Sequence, residues 1–168
     1  MYVGQSVNKT MDKADLAPSN EQSQLRRKIE LSRIEGIQGN CWWPGYSVTN
    51  NYKGVADSLA AYHQSTIAIV PSYPWISTAV PAAVEVKANK EGKLTWNAPV
   101  VENKVTDVVR YVVYRFADKK SINLEDASAI VVVTPANEFV AKDKGVYVIT
   151  ALDRVNNESP ASKPVEIK

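Results

Sequence analysis

A proline-rich stretch near the middle of the chain separates two halves whose hydrophobic patterns differ. It reads PSYPWISTAVPAAV at residues 71–84 and contains three prolines. Proline fixes its own φ and lacks a backbone N–H, so no helix or central strand runs through such a stretch. We therefore expect a semi-rigid extended linker here. This linker and the different patterns on its two sides predict an α/β segment at residues 1–80, which includes the linker, and a separate β domain at residues 81–168.

The first half has the pattern of two strand–helix pairs. Residues 2–7 predict a short strand, and residues 36–43 (GIQGNCWW) predict a second one. Between them, a helix is indicated by a capping-box spacing at Ser19 and Gln22 and by a stop at Gly36. Three residues recur on one face of this helix: Leu25, Ile29 and Ser32. A later helix is indicated by a similar spacing of Val55, Leu59 and Tyr62.

The second half is a series of about seven short β segments with Gly, Pro and Asn between them. Leu94 and Trp96 alternate toward one face of their segment, and Tyr111 and Val113 toward one face of theirs. The number, spacing and length of the segments are typical of a small antiparallel β-sandwich.

The second half also resembles a fibronectin type III domain in the order of its motifs. The resemblance rests on Pro81 and Val84, on LTW at residues 94–96, and on three further motifs: YVVYR at 111–115, YVITALD at 147–153 and NNES at 156–159. It implies that Trp96 lies in the core between two sheets. It also implies that Tyr147 is a corner tyrosine whose hydroxyl binds nearby backbone.

The first half resembles the end of the catalytic barrel in the glycosyl-hydrolase-like 10 family, also described as the DUF187 group. Four motifs support this: YVGQ at 2–5, EGIQGNCWW at 35–43, GVADSL at 54–59 and PSYPW at 71–75. The chain departs from the family pattern at NCWWPGYSV, where many relatives carry Phe and Ser. The resemblance implies a mixed fold, with the last two units of a (β/α)8 barrel followed by the sandwich, in the tail of a bacterial glycosidase.

Carboxylates suited to glycoside hydrolysis are not evident in this sequence. The reaction normally uses two of them on either side of the scissile bond. Glu35 precedes its predicted strand, whereas barrel active sites lie at the C-terminal ends of strands. Asp57 fits a structural role in the first turn of a helix, and His63 is the chain's one histidine. We predict no catalytic residue, so we expect that the chain is not catalytically competent alone.

Aromatic residues after the second strand are the candidate functional group. Sugar rings stack their C–H faces on aromatic rings. We predict that Trp42, Trp43 and Tyr46, with Gln5 and Asn40, line a sugar subsite of the parent enzyme. Strand alternation places one tryptophan on each side of the strand. The alternative, that both tryptophans are buried against helices or the β domain, stays open.

Composition excludes several other classes of function. A net charge of +2 gives no field for nucleic acid, and prolines interrupt the longest apolar run, so no membrane span is predicted. One cysteine and one histidine exclude an internal disulfide and a Cys/His metal cluster, and no cofactor is expected. We expect Cys41 to be buried and Trp75 to anchor the domain junction. No signal peptide is recognisable, and a periplasmic or extracellular location is implied only by the family.

The function predicted from sequence is therefore that of a C-terminal fragment of a polysaccharide-degrading glycosidase with an accessory fibronectin-type module. A non-enzymatic carbohydrate-binding or interaction module and a structural spacer are the alternatives. The barrel tail leaves strand edges and a sheet face uncovered. We expect it either to pack on the β domain or to associate with a second copy.

Overall fold

The computed structural model describes residues 2–12, 24–99 and 108–168 of the chain. The chain forms two compact units, Met1–Ser65 and Thr66–Lys168. The proline-rich stretch falls within the second unit. The boundary after residue 80 between the α/β segment and the β domain stays a prediction. The capping box at Ser19 and Gln22 lies outside the described residues.

The first unit consists of two parallel strands and several short helices. Its elements, in chain order, are β1 (Tyr2–Ser6), α1 (Val7–Asp12), α2 (Gln24–Ile34), β2 (Gly39–Trp43), α3 (Gly45–Thr49), a 3₁₀ turn (Tyr52–Gly54), α4 (Val55–Ser58) and a π-helical turn (Leu59–His63). Strands β1 and β2 pair from Tyr2↔Gly39 to Ser6↔Trp43. The predicted strand–helix alternation is present, whereas α1 and α3 were not predicted.

Helices α1, α2 and α4 and the π-helical turn after α4 supply the core of the first unit. The buried cluster consists of Val7, Met11, Leu25, Ile29, Val55 and Leu59. The predicted face of α2 is buried, including Ser32, and Gly36 ends this helix with a left-handed φ of 66°. Tyr62, expected on the face of Val55 and Leu59, is 60% exposed. The wide turn, in which Gln64 N donates to Leu59 O (2.7 Å), changes the angular spacing and moves Tyr62 off that face.

The second unit is a sandwich of two antiparallel sheets within its described residues. Its strands are β3 (Val86–Ala88), β4 (Lys93–Trp96), β5 (Val108–Phe116), β6 (Ile130–Thr134), β7 (Glu138–Val140), β8 (Gly145–Asp153) and β9 (Val165–Ile167), with 3₁₀ turns at Lys119–Ser121 and Ala127–Ala129. The sheet orders are β3-β4-β7 and β6-β5-β8-β9. The prediction of a mixed fold with a β-sandwich part is confirmed.

Alternating side chains from both sheets fill the core of the sandwich. Leu94 and Trp96 of β4 join Tyr111 and Val113 of β5 and Ile149 of β8 in one buried cluster. The Trp96 and Tyr111 rings meet edge to face, with 5.4 Å between their centroids. The other face of β5 contributes to a second cluster, which includes Val112, Tyr114 and Phe116. The predicted alternation in both strands is confirmed.

Tyr147 on β8 has the geometry expected of a corner tyrosine. Its side chain is buried, and its hydroxyl donates a hydrogen bond of 2.8 Å to the backbone carbonyl of Asp143. Burial raises the pKa of the Tyr147 phenol above its ordinary value. Trp75, by contrast, is 76% exposed, so the expected buried anchor at this residue is wrong. Among the helices in the described part of the chain, none has the length and apolar content needed to span a bilayer.

Candidate functional site

The candidate sugar site lies on the two parallel strands of the first unit. Residues that pair across β1 and β2 project to the same side, so Gln5 shares a side with Trp42, and Gly4 shares the other with Cys41. We name these the helix-covered face, which includes Gln5, Asn40 and Trp42, and the open face, which includes Tyr2, Cys41 and Trp43. The five predicted site residues are therefore divided between two environments.

Helix α2 covers Gln5, Asn40 and Trp42. Gln5 Nε2 donates to Asn40 Oδ1 at 3.3 Å, and Ser32 Oγ of α2 lies 3.3 Å from the same oxygen. The Trp42 ring packs against the buried cluster of the first unit. Its Nε1 is buried, and no group in the described part of the chain accepts a hydrogen bond from it. These three side chains hold the strands against the helices.

The open face carries the exposed tryptophan of the pair. Trp43 is the last residue of β2 and is 72% exposed. The ring of Tyr2 lies over Gly39, where a Cβ atom would be 2.7 Å from two of its carbon atoms. Cys41 is exposed, so its predicted burial is wrong. The reason is its place in the strand: it alternates with Trp42 and so faces away from the helices that form the core.

Tyr46 follows the strand on helix α3 and is 63% exposed. A hydrogen bond joins helix α3 to helix α1, because Ser47 Oγ donates to Asn8 Oδ1 at 2.7 Å. Trp43 and Tyr46 are therefore both exposed where β2 leads into α3. Of the predicted group, these two have aromatic surface available to a ligand.

A polar cluster that no sequence pattern predicted joins the end of helix α1 to the 3₁₀ turn at Tyr52–Gly54. The Asp12 carboxylate accepts hydrogen bonds from Lys53 Nζ (2.8 Å) and from the Tyr52 hydroxyl (2.7 Å). The hydrogen bond from Lys53, and then that from Tyr52, lowers the pKa of Asp12. The carboxylate is therefore ionised at neutral pH and does not serve as a general acid. No sequence signal joins residues 41 positions apart.

Asp57 lies in helix α4, and His63 lies in the π-helical turn that follows it. Asn51, with a left-handed φ of 50°, accepts from the backbone N–H groups of Ala56 and Asp57 and donates through Nδ2 to Asp57 Oδ2 at 2.7 Å. The Asn51 side chain thus binds the first turn of α4 from three residues before the N-cap residue Gly54, and Asp57 is fixed beside it. His63 is buried, and its carbonyl accepts from Arg33 Nη2 at 2.6 Å. Within residues 2–12, 24–99 and 108–168, no three His, Cys, Asp or Glu residues gather as metal ligands would.

Sequence comparison relates the chain to one glycosyl hydrolase. The glycosyl hydrolase YngK of Bacillus subtilis (strain 168) is 28% identical over 176 residues, which cover 97% of this chain and 33% of that protein. The chain thus spans about a third of the length of the curated relative that it matches. No family model matches the sequence. The similarity is weak, and it extends over both structural units.

Comparison with solved structures returns a fibronectin type III domain and a titin structure, among others. The sixth such domain of the human fibronectin type III domain containing protein 3 is 19% identical over 53% of this chain and 82% of that chain, with a TM-score of 0.37. A structure of titin kinase with its flanking domains is 18% identical over 52% of this chain and 17% of that chain, also with a TM-score of 0.37. The strand order and the buried cluster shared by both sheets define the sandwich by themselves.

Proposed function

We propose that the chain is the C-terminal part of a bacterial glycoside hydrolase that acts on polysaccharide, within the glycosyl-hydrolase-like 10 family. Residues 1–80 supply the last two units of its barrel, and residues 81–168 supply an accessory fibronectin-type module. The observation that supports this best is the parallel pair β1–β2, which has helices on one face and Trp43 exposed on the other. The 28% identity to a glycosyl hydrolase along 97% of the chain supports the reaction class.

The asymmetry of the β1–β2 sheet is what a piece of a barrel requires. In a (β/α)8 barrel the helices surround the strands, the opposite faces of the strands fill the interior, and ligands bind at the C-terminal ends of the strands. Helix α2 covers one face of this sheet, so the open face corresponds to the interior. Trp43 is the last residue of β2 and belongs to that face. It therefore occupies a position from which a barrel enzyme contacts its substrate.

Trp43 and Tyr46 are the residues that we propose to contact a sugar. Their exposed rings offer apolar faces to the C–H groups of a pyranose. Gln5, Asn40 and Trp42 belong to the same site as supporting residues, because their contacts keep β1 and β2 in place beneath it. We expect the paired acids that cleave the bond on other strands of the parent; Asp12, which is held ionised by Lys53 and Tyr52, is unsuited to be the general acid of that pair.

The substrate sets the location of the parent enzyme. Structural polysaccharides occur in the cell wall and outside the cell, so the proposed site of action is periplasmic or extracellular. A non-enzymatic carbohydrate-binding module is the second candidate. The same exposed rings of Trp43 and Tyr46 favour it, and the assay of hydrolysis separates the two.

The direct test compares the 168-residue chain with the longest product of the gene that contains it. Both are incubated with β-glucans, chitin oligosaccharides and purified peptidoglycan glycan, and the release of reducing ends is measured. We expect hydrolysis of at least one substrate by the longer product and none by the 168-residue chain. Hydrolysis by the short chain, or a gene that encodes no further residues, would contradict the proposal.

The contribution of Trp43 is tested in the longer product. Trp43→Ala is expected to lower kcat/KM by roughly tenfold or more, since an aromatic ring against a substrate contributes on the order of 1 kcal/mol beyond the area that it buries. Val131→Ala, an exposed apolar change on the sandwich, is the matched control and is expected to leave kcat/KM unchanged. Equal effects of the two substitutions would exclude Trp43 from the substrate site.

Self-association of the isolated chain is part of the same proposal. The open face, with Tyr2 and Trp43 exposed, and the outer edges of a two-stranded sheet can pair with a second copy. Light scattering at micromolar concentration should give a mass above the 18.5 kDa of one chain, and Trp43→Lys should reduce it. Tyr62→Lys, which changes another exposed aromatic residue outside the sheet, is the control. A monomeric mass for the unmodified chain would rule out pairing through this face.

A further inference from the structure

A second pair of aromatic rings, one half-buried and one exposed, lies in the other structural unit. Tyr73 and Trp75, at the start of Thr66–Lys168, have ring centroids 5.2 Å apart and ring planes inclined at 47°. Trp75 is exposed over 76% of its surface. Tryptophan is highly buried on average, so an exposed tryptophan beside a second ring indicates a binding surface rather than a packing residue.

Hydrogen bonds to the sandwich fix the backbone that carries the two rings. Tyr73 N donates to the carbonyl of Val155 at 3.0 Å, and Ile76 N donates back to the carbonyl of Tyr73 at 2.9 Å. Pro71 and Pro74 restrict φ on either side of Tyr73. The rings are therefore presented from a rigid turn, which reduces the entropy lost when a ligand binds.

Asn157 secures the chain just after the aromatic pair. Its Nδ2 group donates to the carbonyls of Ser77 (3.1 Å) and Ala79 (3.0 Å) and to Asp153 Oδ2 (3.1 Å). The Asp153 carboxylate is itself buried and accepts from the backbone N–H groups of Val155 and Asn157. One buried amide thus connects the segment with the loop that follows β8.

The composition of the segment indicates the chemistry of its ligand. No Asp, Glu, Lys or Arg occurs between Asp57 and Glu85. A charged ligand would therefore find no counter-charge within this segment. The rings are accompanied by the hydroxyl-bearing residues Ser72, Ser77 and Thr78. Apolar ring faces next to neutral hydroxyl groups match a ligand that has C–H faces and hydroxyl groups of its own.

We infer that Tyr73 and Trp75 form a binding site for an uncharged polysaccharide, separate from the site at Trp43. The choice of a saccharide rests on the proposed function, whereas the position of the rings rests on the structure and the absence of charge within their own segment rests on the sequence. A site on the segment that leads into the accessory module retains the polymer while another part of the protein acts on it, and so raises the local concentration of substrate.

The test is affinity electrophoresis of the full chain in native gels that contain hydroxyethyl cellulose, starch or glycol chitin. At least one of these uncharged polymers should retard the chain. Trp75→Ala is expected to raise the dissociation constant obtained from the retardation by roughly tenfold or more. Tyr73→Phe, which keeps the ring, should retain binding that Tyr73→Ala loses. Val140→Ala, an exposed apolar change elsewhere on the sandwich, is the matched control. Circular dichroism checks that each variant folds.

The outcomes separate this inference from the proposed function. Retardation that Trp75→Ala leaves intact, or no retardation by any uncharged polymer, overturns the site, even if the longer gene product hydrolyses a polysaccharide. Stronger binding of carboxymethyl cellulose than of hydroxyethyl cellulose overturns the assignment to an uncharged ligand. If Trp75→Ala changes the mass measured by light scattering but not the retardation by any polymer, the rings are a contact between protein chains. That result also overturns the site.

Discussion

Trp42 and Trp43 are adjacent in the chain and face opposite sides of strand β2. The Trp42 ring packs against the buried cluster of helices α1, α2 and α4, whereas Trp43 is 72% exposed on the open face. The two indoles have the same size and differ in surroundings alone. They therefore provide an internal comparison between a residue that stabilises the fold and a residue available to a ligand.

The first prediction concerns the stability of the first unit. Trp42→Ala removes a partly buried ring from the helix-covered face and should lower the free energy of unfolding by about 2 kcal/mol, less than for a fully buried tryptophan. At protein concentrations low enough to keep the chain monomeric, Trp43→Ala should change it by no more than about 0.5 kcal/mol, as is usual at exposed positions. Urea unfolding followed by far-ultraviolet circular dichroism measures both.

The order of the two effects is the decisive result. Equal destabilisation by the two substitutions would mean that the open face is covered in solution, for example by a second copy of the chain. In that case, the Trp43→Ala effect should depend on protein concentration, because association couples to folding by mass action.

The second prediction concerns the corner of the sandwich. Tyr147→Phe removes the hydroxyl that donates to the Asp143 carbonyl and should cost about 1 kcal/mol of unfolding free energy. Tyr73→Phe is the matched control, since no group in the described residues is hydrogen-bonded to its hydroxyl. Thermal unfolding of the two variants measures the difference. A wild-type midpoint for Tyr147→Phe would show that the hydrogen bond adds nothing to stability.

Regular spacing made much of the fold predictable from the sequence. The 3- and 4-residue intervals of Leu25, Ile29 and Ser32 identified the buried face of α2, and the 2-residue alternation of Leu94 and Trp96 identified the core side of β4. Such patterns are local consequences of backbone geometry, so they can be read without tertiary information. The opposite orientation of Trp42 and Trp43 followed from the same alternation.

Features that depend on packing partners could not be predicted. Alternation places Trp42 and Trp43 on opposite sides, but only the position of α2 decides which side is buried, and the same fact exposes Cys41. Helix α1 is a single short segment without a repeating pattern. The contact between Asp12 and Lys53 joins residues that are distant in the chain, so no spacing rule could have found it.

The third prediction concerns alkaline pH. Burial raises the pKa of Tyr111 and, together with a hydrogen bond to Glu158, that of Tyr114; burial likewise raises the pKa of Tyr147. The folded state therefore holds these protons more tightly than the unfolded chain, whose tyrosine pKa is about 10. The stabilisation is complete below that pH and is lost progressively as the pH rises toward the raised values.

Tyrosinate absorbance near 295 nm during a pH titration, together with circular dichroism, checks the alkaline behaviour. Fewer than the eight tyrosines of the chain should ionise before the sandwich unfolds, and the rest should ionise with unfolding. Tyr114→Phe should remove one of the late-ionising groups, because the Tyr114 hydroxyl donates to Glu158 at 2.7 Å. Ionisation of all tyrosines in one step near pH 10, with circular dichroism unchanged, would contradict the burial of these phenols.

The fourth prediction concerns Asn157, which holds the aromatic segment on the sandwich. Asn157→Ala removes the donor to the carbonyls of Ser77 and Ala79 and should cost about 1–3 kcal/mol, the usual penalty when buried polar groups lose their partner. Amide exchange should accelerate at Ile76 and Tyr73, whose N–H groups depend on the same turn. Asn137→Ala, at an exposed position, is the control. If exchange at Tyr73 and Ile76 stays as slow as in the unmodified chain, the proline residues alone keep the segment rigid, and the buried amide is not what positions the rings.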